Sequence, residues 1–231
     1  MCIRDRFHDI IPGSSIARVH SEARETHARI ETKLHDYIGT LGSRLPSHGR
    51  GPSALNLTSF ARTEHVHHDA HWYRAEVGPY AASPLCPVEV SDNLAITSDS
   101  IGNGILTLRF SDSGEIVSCR DASGAEHAGG GLNRLVLHDD PYQFPFDAWD
   151  ISPDYVRKVP KVLPLSKAET YRDGPTVVRR HVHTLPKGTI EQRVVLEQGS
   201  ALERFDTRVS WHETHRMLLS LIHISEPTRP Y

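Results

Sequence analysis

Phe7-His8-Asp9-Ile10-Ile11-Pro12-Gly13-Ser14 sets an imidazole beside a carboxylate, directly ahead of a Pro-Gly turn. A neutral imidazole is a good zinc ligand, and a carboxylate accepts hydrogen bonds from sugar hydroxyls. His8 is therefore a candidate metal ligand and Asp9 a candidate substrate contact. A bare His-Asp pair at a helix entry reads first as structural, with the Asp as a cap, so the rest of the chain has to decide. Asp147-Ala148-Trp149-Asp150 offers two carboxylates around an indole, a combination that suits a sugar face. Here packing is the preferred reading, with Trp149 filling the interior, because a buried Trp is usually a core residue. His65-Val66-His67-His68-Asp69-Ala70-His71 puts His65 and His67 on one strand face. A variable, solvated strand and loop is preferred there to a metal patch.

The elements that must position these residues follow from periodicity. From Ser14 to about Ile38 the apolar positions Ile16, Val19, Ala23, Ile30, Leu34 and Tyr37/Ile38 mark one face of an amphipathic helix. Ser14 or Ser15 can cap its start and Gly39 can end it. Its apolar stripe needs a partner, and no second helix follows. Residues 39–52 are rich in Gly, Ser and Pro and read as a linker.

Beyond the linker the period changes to two. Leu106, Leu108 and Phe110 alternate with Thr107 and Arg109, Ser111-Asp112-Ser113-Gly114 turns, and Ile116–Cys119 returns as a hairpin. Further strands are expected at Leu55–Phe60, His71–Val77, Leu94–Thr97, Leu135–His138, Thr176–His183, Ile190–Leu196 and Arg204–Trp211. In the last, alternation predicts Val209 and Trp211 buried and charges outward, with Glu203, Asp206, Glu213 and His215 flanking the indole. The fold class expected is mainly β, a helix followed by an antiparallel β-sandwich.

Composition sets the outer limits. With 24% charged and 38% hydrophobic residues, the 231-residue chain is that of an ordinary globular protein. A net charge of −3 argues against a nucleic-acid partner, which needs a concentrated basic face. No apolar run approaches the ~20 residues that span a bilayer, so no membrane partner is expected. Cys86 and Cys119, far apart, make no disulfide framework, which points to a reducing, cytoplasmic setting.

The His8-Asp9 stretch closely resembles the Phe-His-Asp-Ile-Leu-Pro-Gly-Ser motif of the zinc-dependent retaining α-mannosidases, glycoside hydrolase family 38. Asn133-Arg134-Leu135 leading to Asp139-Asp140-Pro141, and Asp147-Ala148-Trp149-Asp150-Ile151, follow in that family's order. The Asp-Ala-Trp-Asp block is typical of its bacterial and cytosolic branch, and the Trp211-His212-Glu213 run is similar to a strand near the end of its sheet. The resemblance implies a zinc ion with two His and two Asp ligands, His8 being one of the four, and Asp9 binding hydroxyls of a mannose. It implies a mannose-containing oligosaccharide as substrate. The nucleophile, the acid/base and the other three zinc ligands are implied to lie upstream, in a catalytic domain missing from this chain, so no catalytic residue is assigned here.

The same resemblance implies that residues 7–40 end a helical domain, 41–52 link, and 53–218 form an incomplete sandwich of galactose-mutarotase-like type. Residues 1–6 and 219–231 are read differently. Met1–Asp5 and Leu219–Ile224 can be encoded by near reverse complements matching a transposon-end adapter, so both ends are expected to be translated adapter. The rival to the enzyme fragment is a non-enzymatic carbohydrate-binding or scaffold sandwich. Such a module needs neither a zinc ligand outside the sandwich nor an orphan apolar helix face, and both features favour the enzyme.

Overall fold

The computed structural model describes residues 16–44, 51–141, 151 and 153–221. The chain divides into two units, residues 1–51 with 142–153, and residues 52–141 with 154–231.

The first unit holds helix α1, Ala17–Gly42. The predicted helix is present but does not stop at Gly39. Thr40 Oγ1 donates to the Asp36 carbonyl, and the N–H groups of Ser43 and Arg44 close the end on the carbonyls of Gly39 and Leu41 respectively. One interior glycine costs only about 1 kcal/mol, too little to end a helix whose next turn is bonded. At the other end Ile16 occupies the cap position without a side-chain bond; the serines expected to cap, Ser14 and Ser15, lie outside the described residues. No residue of α1 is buried.

The second unit is built from antiparallel strands: β1 (Ser53–Leu55), β2 (Arg62–His68), β3 (His71–Val77), β4 (Ala82–Pro84), β5 (Cys86–Pro87), β6 (Ala95–Ile96), β7 (Ser100–Gly102), β8 (Leu106–Phe110), β9 (Ile116–Asp121), β10 (Arg134–Asp139), β11 (Lys161–Val162), β12 (Lys167–Asp173), β13 (Thr176–Leu185), β14 (Gly188–Glu197), β15 (Glu203–Trp211) and β16 (Arg216–Leu221). Their main layers are the sheets β6-β7-β8-β9 and β12-β13-β14-β15, with β11-β10-β16, β2-β3-β5 and β1-β4 as smaller sheets.

The core explains the sandwich. Ile101, Leu108, Phe110, Ile116 and Cys119 from the first layer meet Val177, Val194 and Leu196 from the second in one apolar cluster. The long hairpin β13-β14 runs on into a second cluster, where Leu185 and Ile190 meet Leu135, Leu137 and Leu163. Leu106 is half-buried and Leu108 and Phe110 are buried, with Thr107 and Arg109 exposed between them, as the alternation predicts.

Three details of the strands have local causes. Leu55–Phe60 was expected as one strand, but β1 stops at Leu55 because Asn56 folds the chain around its own side chain. Its Nδ2 donates to the carbonyls of Phe60, Val77 and Gly78, while Oδ1 accepts from the Thr58 N–H and hydroxyl. The His-rich stretch, expected as a solvated strand and loop, is a tight hairpin whose residues 67–71 are exposed while His65 and Val66 are half-buried. Asp69 and Ala70 take positive φ of 45° and 63°, the two-residue geometry that matches strand twist, and His65 Nδ1 lies 2.6 Å from Glu197 Oε1. Finally, β16 crosses the boundary expected after Leu218: Leu219, Ser220 and Leu221 continue the ladder opposite Val136, Leu135 and Arg134.

Gly174 fastens the outer hairpin. It turns β12 into β13 at φ 53°, and a Cβ there would stand 2.2 Å from Cδ1 of Trp72, whose Nε1 donates to Asp173 Oδ1 at 3.1 Å. Cys86 and Cys119 are free thiols. Among the described residues no helix is long and apolar enough to cross a membrane.

Candidate functional site

His8, Asp9 and the block Asp147–Asp150 lie outside the described residues. Among those described, no group of three or more His, Cys, Asp or Glu side chains could hold a metal ion.

What the described chain does assemble is a buried polar band, which sequence reading missed. On β13 the residues facing inward are Val177, Arg179, His181, His183 and Leu185, so three polar side chains separate the two apolar clusters. Arg179 is 8% exposed. Its guanidinium donates to the Ser98 carbonyl, to Thr170 Oγ1 at 2.9 Å and to His181 Nε2 at 3.2 Å, and lies 5.6 Å from the centre of the Phe110 ring. Since Arg can only donate, His181 Nε2 must be the unprotonated nitrogen, which leaves the proton on Nδ1. That nitrogen faces Gly114, where a Cβ would approach to 3.1 Å. The turn predicted at Ser111–Gly114 therefore also makes room for a buried imidazole.

The band continues on β14. Gln192 exchanges hydrogen bonds with Asn133, at 2.5 and 3.2 Å, and donates to Thr207 at 3.1 Å. Asn133 sits at φ 58°, and its neighbour Arg134 donates twice to Glu115 Oε1, at 3.0 and 2.7 Å. The Asn133-Arg134-Leu135 motif is thereby given a structural role, pinning the entry to β10. Asp139 likewise pairs with Arg216 of β16 at 3.0 Å. Apart from His181 Nδ1, which is buried without a hydrogen-bond partner among the described residues, these groups bond to the scaffold, and this arrangement braces two layers rather than offering an acid and a base to a ligand. The alternation of β13 was legible, but it could not say which polar set faces inward.

The band makes stability depend on pH. Burial above all, then the Arg179 charge and His183, pulls the His181 imidazole down to about 4. Burial also lowers His183, against opposing hydrogen bonds that its ring makes to the backbone of Pro164 and Leu163. An imidazole whose folded pKa lies below its unfolded value of about 6.5 contributes fully above that value and loses its contribution as pH falls towards 4. For His181 the full swing is about 3 kcal/mol. The urea midpoint is expected to hold steady above neutrality and to fall between about pH 6.5 and 4, with His181→Gln flattening the slope. Asp121 and Glu126, held low by hydrogen bonds from Ser123 and Ser118 respectively, add a further loss only below about pH 4. A wild-type midpoint that stays level from pH 7 to 4 would refute the assignment.

The sequence comparisons agree with the fold. Residues 101–228 match the model of the glycosyl hydrolases family 38 C-terminal domain. The chain is 28% identical over 245 residues to alpha-mannosidase 2C1 of Mus musculus, and equally to that of Homo sapiens, alignments that take in 94% of this chain and 23% of those proteins. Alpha-mannosidase G of Dictyostelium discoideum is 33% identical over 92 residues, 37% of this chain and 8% of that protein. The chain thus spans about a quarter of the length of the mammalian relatives it matches. On this match, with the antiparallel layers that carry it, the chain belongs to glycosyl hydrolase family 38 and includes its C-terminal domain.

Proposed function

We propose that this chain is part of a cytoplasmic, zinc-dependent retaining α-mannosidase that hydrolyses terminal α-linked mannose from oligosaccharides. The observation that carries the reading is that the alignment to alpha-mannosidase 2C1 takes in 94% of the chain, together with the His8-Asp9-Ile10-Ile11-Pro12-Gly13-Ser14 stretch. His8 would supply one ligand to zinc, the others coming from the part of the protein outside this chain, and Asp9 would accept hydrogen bonds from mannose hydroxyls. When bound, the metal supplies a template that orients the sugar. Retention requires a carboxylate nucleophile and a carboxylic acid about 5 Å apart, and both belong to the same missing portion. The sandwich, of galactose-mutarotase-like type, braces the catalytic domain and walls its cleft. Residues 1–6 and 219–231 are read as translated adapter outside this enzyme, which the source DNA on either side would establish.

The purified 231-residue chain is expected to release no aryl alcohol from aryl α-mannosides, with or without added zinc. The full-length protein is expected to turn them over and to give α-mannose as first product. Zinc-dependent turnover by the short chain, or an inactive full-length protein, would overturn the reading.

A further inference from the structure

The edge of β15 carries a pattern that pairs with itself. Among the described residues β15 is hydrogen-bonded only to β14, and its other side is unpaired by any of them. The His212 N–H donates to the Lys187 carbonyl, and the β14-β15 register has no irregularity. Hydrogen-bonded pairs alternate along an antiparallel ladder. The even residues Arg204 to Ser210 therefore bond to β14, and the N–H and C=O groups of Glu203, Phe205, Thr207, Val209 and Trp211 point out along the edge. This nine-residue edge has no Pro, no Lys and no bulge, three of the devices that keep natural edges from pairing; its one inward-facing charge, Glu203, stands at the end of the strand, away from its centre at Thr207.

We propose that β15 is a two-fold interface on which a second copy of this chain adds its own β15, antiparallel and centred on Thr207. This register sets Phe205 opposite Val209, Asp206 opposite Arg208 and Thr207 opposite Thr207. A two-fold axis normal to the sheet keeps inner face with inner face, and each row then continues a row already present within one copy. On the outer face Arg193 is 3.2 Å from Asp206, and Glu191 stands opposite Arg208. Across the join the row reads Arg193, Asp206, Arg208, Glu191, with charge alternating at every step. On the inner face Val194, Phe205, Val209 and Ile190 form an unbroken apolar row. Between them Gln192 and Thr207, already bonded at 3.1 Å, meet their symmetry mates. The 47% exposure of Val209 and the half-exposed Trp211 at the strand's end are then surfaces that this pairing covers. A shift of two residues would set Asp206 opposite Asp206 or Arg208 opposite Arg208, so charge selects the register.

Sedimentation of the 231-residue chain over a concentration series tests the pairing. The expected species is a dimer of twice the 25.8 kDa chain mass. Thr207→Pro removes an outward N–H and no backbone bond to β14, and Thr207→Val controls for the lost hydroxyl bond to Gln192. Thr207→Pro should leave the far-ultraviolet spectrum intact and weaken association at least about tenfold, and Thr207→Val should leave association unchanged. Asp206→Arg, which sets Arg against Arg208, should weaken association as Thr207→Pro does. In a Cys2→Ser/Cys86→Ser background, Thr207→Cys should cross-link to itself by direct oxidation and Val209→Cys should not. A monomer at every concentration would overturn the proposal and leave the edge to a strand from elsewhere in the longer protein. A dimer indifferent to Thr207→Pro and Asp206→Arg, or one cross-linked through Val209→Cys, would overturn it equally, since the contact would then lie elsewhere or in another register.

Discussion

Replacing His8 by alanine in the full-length protein is expected to lower kcat/KM on an aryl α-mannoside by about a thousandfold or more and to reduce bound zinc. Removing one of the protein ligands of a catalytic metal forfeits the charge and positioning it supplies, worth several kcal/mol, and each 1.36 kcal/mol is tenfold in rate. The two readouts separate the roles assigned to the neighbouring residues. His8→Ala should lose metal and rate together. Asp9→Asn should keep its metal and lose rate, because its carboxylate is assigned to sugar hydroxyls rather than to zinc. Metal content by atomic absorption and steady-state kinetics on both variants check this. Normal zinc and a normal rate in His8→Ala would remove His8 from the metal site, and with it the reason for preferring an enzyme part to a scaffold module.

Leu108→Ala is expected to cost about 2–5 kcal/mol, enough to remove a large share of the 5–15 kcal/mol typical of a domain. Leu108 is wholly buried where the β6–β9 sheet meets β13 and β14. Deleting its branched end leaves a cavity lined by both layers, and the ladders on either side prevent collapse. Val117, on β9 and 40% exposed, is the control: Val117→Ala should cost under about 1 kcal/mol. Urea unfolding of the isolated chain gives both values. A Leu108→Ala loss no larger than that of Val117→Ala would mean that the two sheets are not packed as one core.

The hairpin β8-β9 was legible because three signals coincide there. Apolar residues alternate, the turn has the sequence Ser-Asp-Ser-Gly, and the return strand alternates again. By residue type the His8-Asp9 motif offers a metal ligand and a hydroxyl acceptor, but both residues lie outside the described residues, and their roles at zinc and mannose rest on the family resemblance. Elsewhere local pattern was outvoted. Asn56 ends β1 through bonds to Val77 and Gly78, partners about twenty residues away that no window of local sequence contains. Gly39 failed to stop α1 because its cost is small beside the turn that follows.

The polar band and β15 mark the limit most clearly. By itself the sequence determined the strand period, the turns, the family motif and hence the class of fold, because backbone sterics and side-chain alternation act within a few residues. It placed Val209 and Trp211 on one face of a strand, and they are. Only the tertiary structure decided that this face ends at an edge unpaired by any described residue, leaving Val209 47% exposed, while Arg179, His181 and His183 lie under a second sheet. Alternation states which residues share a face. Burial depends on what packs over that face, and those residues are supplied by strands far away in the chain.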